Sequence, residues 1–122
     1  MNKSLTEPPE GIIITISQGM LKEKGAKHWL HNFLEAMGKE DWTYWMRQGA
    51  KPKYDFLYVY LCIGGKVRYR ANFVCTEGPK EMTFSDGKRM FARAWIVMCG
   101  PVVKGNVPMK GFRGFRYTQT LF

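Results

Sequence analysis

The sequence predicts an α+β fold: a mixed, mostly antiparallel sheet of about six strands with one long and one short helix. Three observations lead there. Residues 54–75, YDFLYVYLCIGGKVRYRANFVC, set two β-branched and aromatic runs on either side of Gly64-Gly65. Two glycines between alternating runs mark a tight hairpin, because primed turns need positive φ. Residues 11–17, GIIITIS, are continuous in apolar and β-branched character, as a buried strand is. Ala26, Trp29, Leu30, Phe33, Leu34 and Met37 recur at helical spacing, and Gly38 closes that amphipathic helix.

The hairpin sets the pairing. With Gly64-Gly65 as the loop, Cys62 faces Val67, Tyr60 faces Tyr69, Tyr58 faces Ala71 and Phe56 faces Phe73, which makes one apolar face. Leu57, Val59 and Leu61 then oppose Asn72, Arg70 and Arg68 on the other. A bulge shifts this pairing and swaps the faces of one strand. In residues 39–49, KEDWTYWMRQG, Asp41 is placed to cap a short helix on which Trp42, Trp45 and Met46 share a face. Further on, 81–85 reads as a short strand, Asp86-Gly87 as a turn, and 88–99 as a long strand ended by Gly100-Pro101. Residues 102–116 read as a glycine-rich basic loop and 117–122 as a closing strand. Residues 1–10 read as a loose leader and 11–122 as a single domain.

The chain has 122 residues and a net charge of +9, unevenly placed. Residues 1–61 hold eight Lys/Arg against seven Asp/Glu, and residues 62–122 hold eleven against three. No acidic residue follows Asp86. Such an excess favours a polyanionic partner through counterion release and steering. No apolar run approaches the length of a membrane helix, so the reading is cytoplasmic, with no membrane partner. Cys62, Cys75 and Cys99 fall in predicted strands at spacings unlike a zinc site and read as buried free thiols. His28 and His31 have no acidic or cysteine partner near in sequence and read as a solvated pair.

Candidate contacts follow from charge interleaved with rings, the combination that single strands or flipped bases require. Trp42 and Trp45 either cover the end of a barrel or line a pocket for a flat ring. Arg47, Lys51 and Lys53 lie close by in sequence. In the basic loop Lys104, Lys110, Arg113 and Arg116 supply charge, while Phe112 and Phe115 either stack on bases or anchor the loop. Gly105, Gly111 and Gly114 let its backbone approach a ligand. There is no nucleophile elbow, local Cys/His pair, metal cluster or phosphate-binding motif, so the chain reads as a binding protein with no cofactor. Two alternatives stand beside a nucleic-acid partner. One is a small phage-type inhibitor that meets a protein partner through its basic surface. The other is a hydrolase assembled from residues far apart in sequence.

The order strand, helix, Trp-rich turn, central hairpin, long strand, basic loop and final strand resembles the PUA-like superfamily, nearest to its EVE and ASCH branches. Trp42 and Trp45 before KPKYD (51–55), the strand YDFLYVYL and VPMKGFRGFRY (107–117) carry the resemblance. Tyr54 stands where the family's K-x-G-D turn has glycine, and the ASCH pattern G-x-K-x-x-E-x-R is absent. The resemblance implies a closed pseudo-β-barrel over 11–122 that holds a modified or flipped base beside a basic surface. It makes Trp42 and Trp45 the pocket, with Ser17 and Gln18 as polar contacts to the base edge. It makes Lys51, Lys53, Lys104, Lys110, Arg113 and Arg116 the phosphate contacts.

Overall fold

A computed structural model of the chain describes residues 8–16, 26–38, 42–84 and 87–122, the side chains of 26–30 excepted. Its elements are β1 (Gly11–Thr15), α1 (Ala26–Met37), β2 (Thr43–Gln48), β3 (Tyr58–Ile63), β4 (Lys66–Glu77), β5 (Lys80–Thr83), β6 (Arg89–Ala92), β7 (Ala94–Pro108) and β8 (Phe115–Thr118). Six strands form one sheet in the order β2-β7-β4-β3-β1-β8, and β5 and β6 form a separate hairpin. β1 runs parallel to β3, and the other neighbours are antiparallel. A parallel pair needs a long crossover, and the chain between β1 and β3 supplies one that contains α1 and β2.

The sheet is open. β2 and β8 are its two edges, so the expected PUA-like pseudo-barrel with one long and one short helix gives way to a mostly β architecture with one helix of 12 residues. Closure is one way to cover a sheet's apolar faces and edges. Here separate pieces of the chain cover the two faces. On the first face, Ile12, Ile14, Val59, Leu61, Ile96 and Met98 pack with Phe33 and Met37 of α1. Phe33 meets Tyr44 of β2 edge-on, with ring centroids 5.1 Å apart. On the second face, Ile13, Tyr60, Cys62 and Val67 lie under Met109, Phe112, Leu121 and Phe122.

The central hairpin turns at Gly64 and Gly65, with φ of 60° and 81°, as a primed turn demands. Ile63 pairs with Lys66 and Cys62 with Val67, as the sequence predicts. The register then slips: Leu61 pairs with Tyr69, Tyr60 with Arg70, Val59 with Ala71 and Tyr58 with Asn72. Arg68 is the extra residue, and the pairs predicted beyond Val67 are therefore each displaced by one. An extra residue in a strand of period two moves every later side chain to the opposite face. Tyr69, Ala71 and Phe73 consequently join Val59 and Leu61 under the helix instead of joining Tyr60.

Four further expectations are corrected. The short helix within 39–49 is the strand β2, paired with β7 from Thr43 opposite Cys99 to Gln48 opposite Ala94. Trp42, Trp45 and Met46 fit a helical repeat, but Tyr44 and Met46 also alternate with Thr43, Trp45 and Arg47, and an adjacent ladder favours that alternation. The loop expected at 102–116 is mostly strand. β7 continues through the cis Gly100-Pro101 bond to Pro108 opposite Lys66, and only 109–114 is irregular. Three register shifts between β4 and β7 absorb the glycines and the proline that read as breakers. The long strand expected at 88–99 is interrupted at Arg93, and the closing strand is Phe115–Thr118, not 117–122. Residues 8–10, within the expected leader, are tied to the sheet, where Glu10 N–H donates to the Thr118 carbonyl at 3.0 Å.

Gly100 shows how closely helix and sheet approach. A Cβ there would overlap the Met37 carbonyl oxygen at the end of α1. Backbone yields less readily than a side chain, and overpacking of this kind costs about 1–3 kcal/mol. Gly100→Ala is expected to lower unfolding free energy by about that amount in urea titrations with an unchanged m-value. Among the described residues no helix is long and apolar enough to cross a membrane.

Candidate nucleic-acid interface

The strand register divides the molecule into two ends: among the described residues one carries only cations and the other carries both signs. The ends of β1 and β3, the start of β4, the end of β7 and the start of β8 lie together. Lys66 opens β4 beside Pro108, and Lys104 lies opposite Tyr69, three residues further along β4. At about 3.3 Å per residue the two positions are roughly 10 Å apart. Arg68, the bulged residue, is exposed and donates its Nε–H to the Ile63 carbonyl beside the turn at 3.1 Å.

The segment 109–114 closes the same end. Met109 N–H donates to the Gly65 carbonyl at 2.9 Å, and Phe112 N–H donates to Thr15 Oγ1 at 3.2 Å. These two bonds strap the segment across the hairpin turn and β1, and leave Lys110 and Arg113 exposed. Arg116 follows in β8 opposite Ile13, with its guanidinium carbon 4.3 Å from the Phe112 ring centroid. Lys66, Arg68, Lys104, Lys110, Arg113 and Arg116 are all exposed. None belongs to an ion pair found among the described residues, which join His31 to Glu35, Lys80 to Glu77 and Arg89 to Glu81.

The acidic groups among the described residues lie elsewhere. Glu10, Asp55, Glu77 and Glu81 are at the far end of the strands or on the β5–β6 hairpin, and Glu35 is on α1. Exposed like charges within a Debye length of about 8–10 Å add their fields. Among the described residues the hairpin end therefore carries cations without acidic neighbours, spread across the sheet from β7 to β8.

The structure separates the residues that the sequence grouped. Of the expected phosphate contacts, Lys104, Lys110, Arg113 and Arg116 meet at the hairpin end, with Lys66 and Arg68, which sequence reasoning passed over. Their signal was available as cations on both sides of the Gly64-Gly65 turn. Lys51 and Lys53 lie at the other end, where Lys53 N–H donates to Tyr117 Oη at 2.6 Å. Arg47 is on edge strand β2 opposite Trp95.

Trp42 and Trp45 do not share a pocket. Trp42, 52% exposed, flanks a groove of about 760 Å³ walled by Leu34, Met37, Val74, Cys99, Pro101 and Val102 on the helix side. Trp45 points through the opposite face, where it meets Trp95 edge-on at 6.3 Å and carries Lys80 Nζ 5.0 Å from its ring centroid. Alternation along β2 explains the division, since Trp45 is flanked by the helix-facing Tyr44 and Met46. Of the two stacking candidates, Phe112 packs on the second face and Phe115 packs under the helix side. Ser17 and Gln18 lie outside the described residues.

Two of the three glycines of the basic segment are used internally. A Cβ on Gly105 would overlap the Phe122 ring, and one on Gly111 would stand 3.0 Å from Thr15 Cγ2. A smaller polar recess of about 380 Å³ at the far end is lined by Lys53, Tyr54, Asp55 and Cys75 among others. Burial pushes the Cys75 thiol above its ordinary range, Glu77 adds to the shift and Lys80 opposes it. A thiol so shifted is held protonated near neutral pH, the reverse of an activated nucleophile. Cys62 is buried and donates its S–H to the Met109 carbonyl at 3.5 Å.

No protein-family model, curated protein or solved structure matches the chain.

Proposed function

We propose that the protein binds nucleic acid, with the phosphates held against the hairpin end. The observation that carries this is the gathering of Lys66, Arg68, Lys104, Lys110, Arg113 and Arg116 from four separate parts of the chain onto one end where no acidic residue is described. A randomly basic surface interleaves both signs, and a phosphate-binding one excludes the negative sign. Affinity comes mainly from release of counterions condensed on the polyanion.

Engagement of about four to six phosphates predicts a slope of log K on log salt of about −4 to −5 for a duplex. Between 50 and 200 mM salt the affinity is then expected to fall by about 10²–10³-fold, measured by fluorescence anisotropy with a labelled oligonucleotide. A flat salt response contradicts the proposal. The groove beside Trp42 is a separate matter. Trp42→Ala is expected to leave the affinity within about twofold, because Trp42 precedes Thr43, which pairs with Cys99 level with Asn72, roughly 20 Å along β4 from Lys66 and roughly 10 Å from the level of Lys104. A loss on the order of 1–3 kcal/mol on that substitution would instead mark Trp42 as a base-stacking residue.

A further inference from the structure

Resting on the nucleic-acid reading above, we infer that the hairpin end takes the phosphate backbone of a duplex in preference to a single strand, and does so without reading sequence. Single-strand binders combine charge with open ring faces on which successive bases stack. The hairpin end has the charge without the faces. Arg116 covers the Phe112 ring at 4.3 Å. Phe115 is turned beneath the helix side with its ring edge-on to Tyr117 at 5.5 Å. Tyr69 packs in the same core against Phe33. Tyr60 is fully buried, and the Phe122 ring meets it edge-on at 5.2 Å while covering Gly105.

Among the described residues the exposed aromatic side chains are Trp42, Tyr54 and Phe91. Each belongs to another part of the molecule. Trp42 adjoins Gly38 and Cys99, Tyr54 meets Tyr117 beyond the far end of β1, and Phe91 is on β6 opposite Glu81. The segments outside the described residues contain no Phe, Tyr or Trp. Without stacking, charge density decides. A duplex presents one charge per about 1.7 Å of axis against about 3.4 Å for one strand, and releases more counterions per contact.

The test compares three fluorescein-labelled probes of one arbitrary 20-nucleotide sequence at 100 mM salt: the single strand, its DNA duplex and the matching RNA duplex. A second arbitrary sequence repeats each. The duplexes are expected to bind about tenfold or more tightly than the single strand, with steeper salt slopes and with the two sequences within about threefold of each other. The two duplex arms show which helical form fits better. Equal or tighter binding of the single strand overturns this inference and leaves the nucleic-acid reading standing. A tenfold difference between the two sequences overturns the claim that sequence is not read. Absence of salt-dependent binding to every probe overturns both.

Discussion

Reversing two charges at the hairpin end, Lys66→Glu together with Lys104→Glu, is expected to weaken duplex binding by about 100-fold or more at 100 mM salt, and to flatten the salt slope by about two. Each lysine is exposed and, among the described residues, is found in no ion pair or side-chain hydrogen bond. The substitutions therefore remove phosphate contacts and add repulsion without opening the core, and surface changes of this kind usually alter stability within about 0.5 kcal/mol. The informative control is Lys51→Glu with Lys53→Glu. It changes the net charge equally but acts at the opposite end of the strands, beside Asp55. Lys53 touches Tyr117 there through its backbone N–H, which the substitution retains. That variant is expected to lose less than about fivefold, the long-range share of the field that salt screens. Equal losses in the two variants would show that binding follows net charge and has no place on the molecule. An unchanged affinity in the Lys66/Lys104 variant would remove the site.

Much of this surface was legible in the sequence as charge, and much less of it as position. The absence of acidic residues after Asp86 and the two glycines at 64–65 can be read directly, and the turn forms where they place it. The strand at 11–15 and the helix ending at Gly38 also follow from local pattern, because each depends on its own residues. What local pattern could not provide was the register. Nothing in VRYRANF announces that Arg68 is extra, yet that one residue turns Tyr69, Ala71 and Phe73 toward the helix and projects a cation beside the hairpin turn. The Trp42-to-Gly49 stretch satisfies a helical and an alternating repeat at once, and only the neighbouring β7 decides between them. Gly100, Pro101 and Gly105 read as interruptions because the cost of a breaker is local. The compensation, a ladder to a 12-residue partner strand, comes from far along the chain. The same limit separated the two tryptophans. Their adjacency in sequence suggested a shared pocket, and strand alternation places them on opposite faces.

Trp95→Ala is expected to be the most damaging single substitution in the chain, at about 3–5 kcal/mol. The ring is 1% exposed and is the largest fully buried side chain described. It is also the point at which a separate element is attached. Its Nε1–H donates to the Lys80 carbonyl at 3.0 Å, and its edge contacts reach Phe84 at 5.9 Å and Trp45 at 6.3 Å. Lys80 and Phe84 bracket β5, so this side chain ties the β5–β6 hairpin to the main sheet, beside the contact of Lys80 with the Trp45 ring. An isolated two-stranded hairpin is marginal in water, and loss of the indole should release it before the rest of the sheet melts. Hydrogen exchange is the discriminating measurement. Amides of β5 and β6 should lose protection in Trp95→Ala, while those of β1, β3 and β4 retain more of theirs. Trp95→Phe keeps an aromatic edge but no donor, and should cost less, about 1–3 kcal/mol. If Trp95→Ala lowered protection uniformly across all strands, the hairpin would be an integral part of the core and not a cover tied on at Trp95. Because the hairpin end of β3 and β4 lies outside that contact, the folded fraction of the variant should bind duplex with the wild-type salt slope. A changed slope would mean that the β5–β6 hairpin shapes the phosphate surface as well.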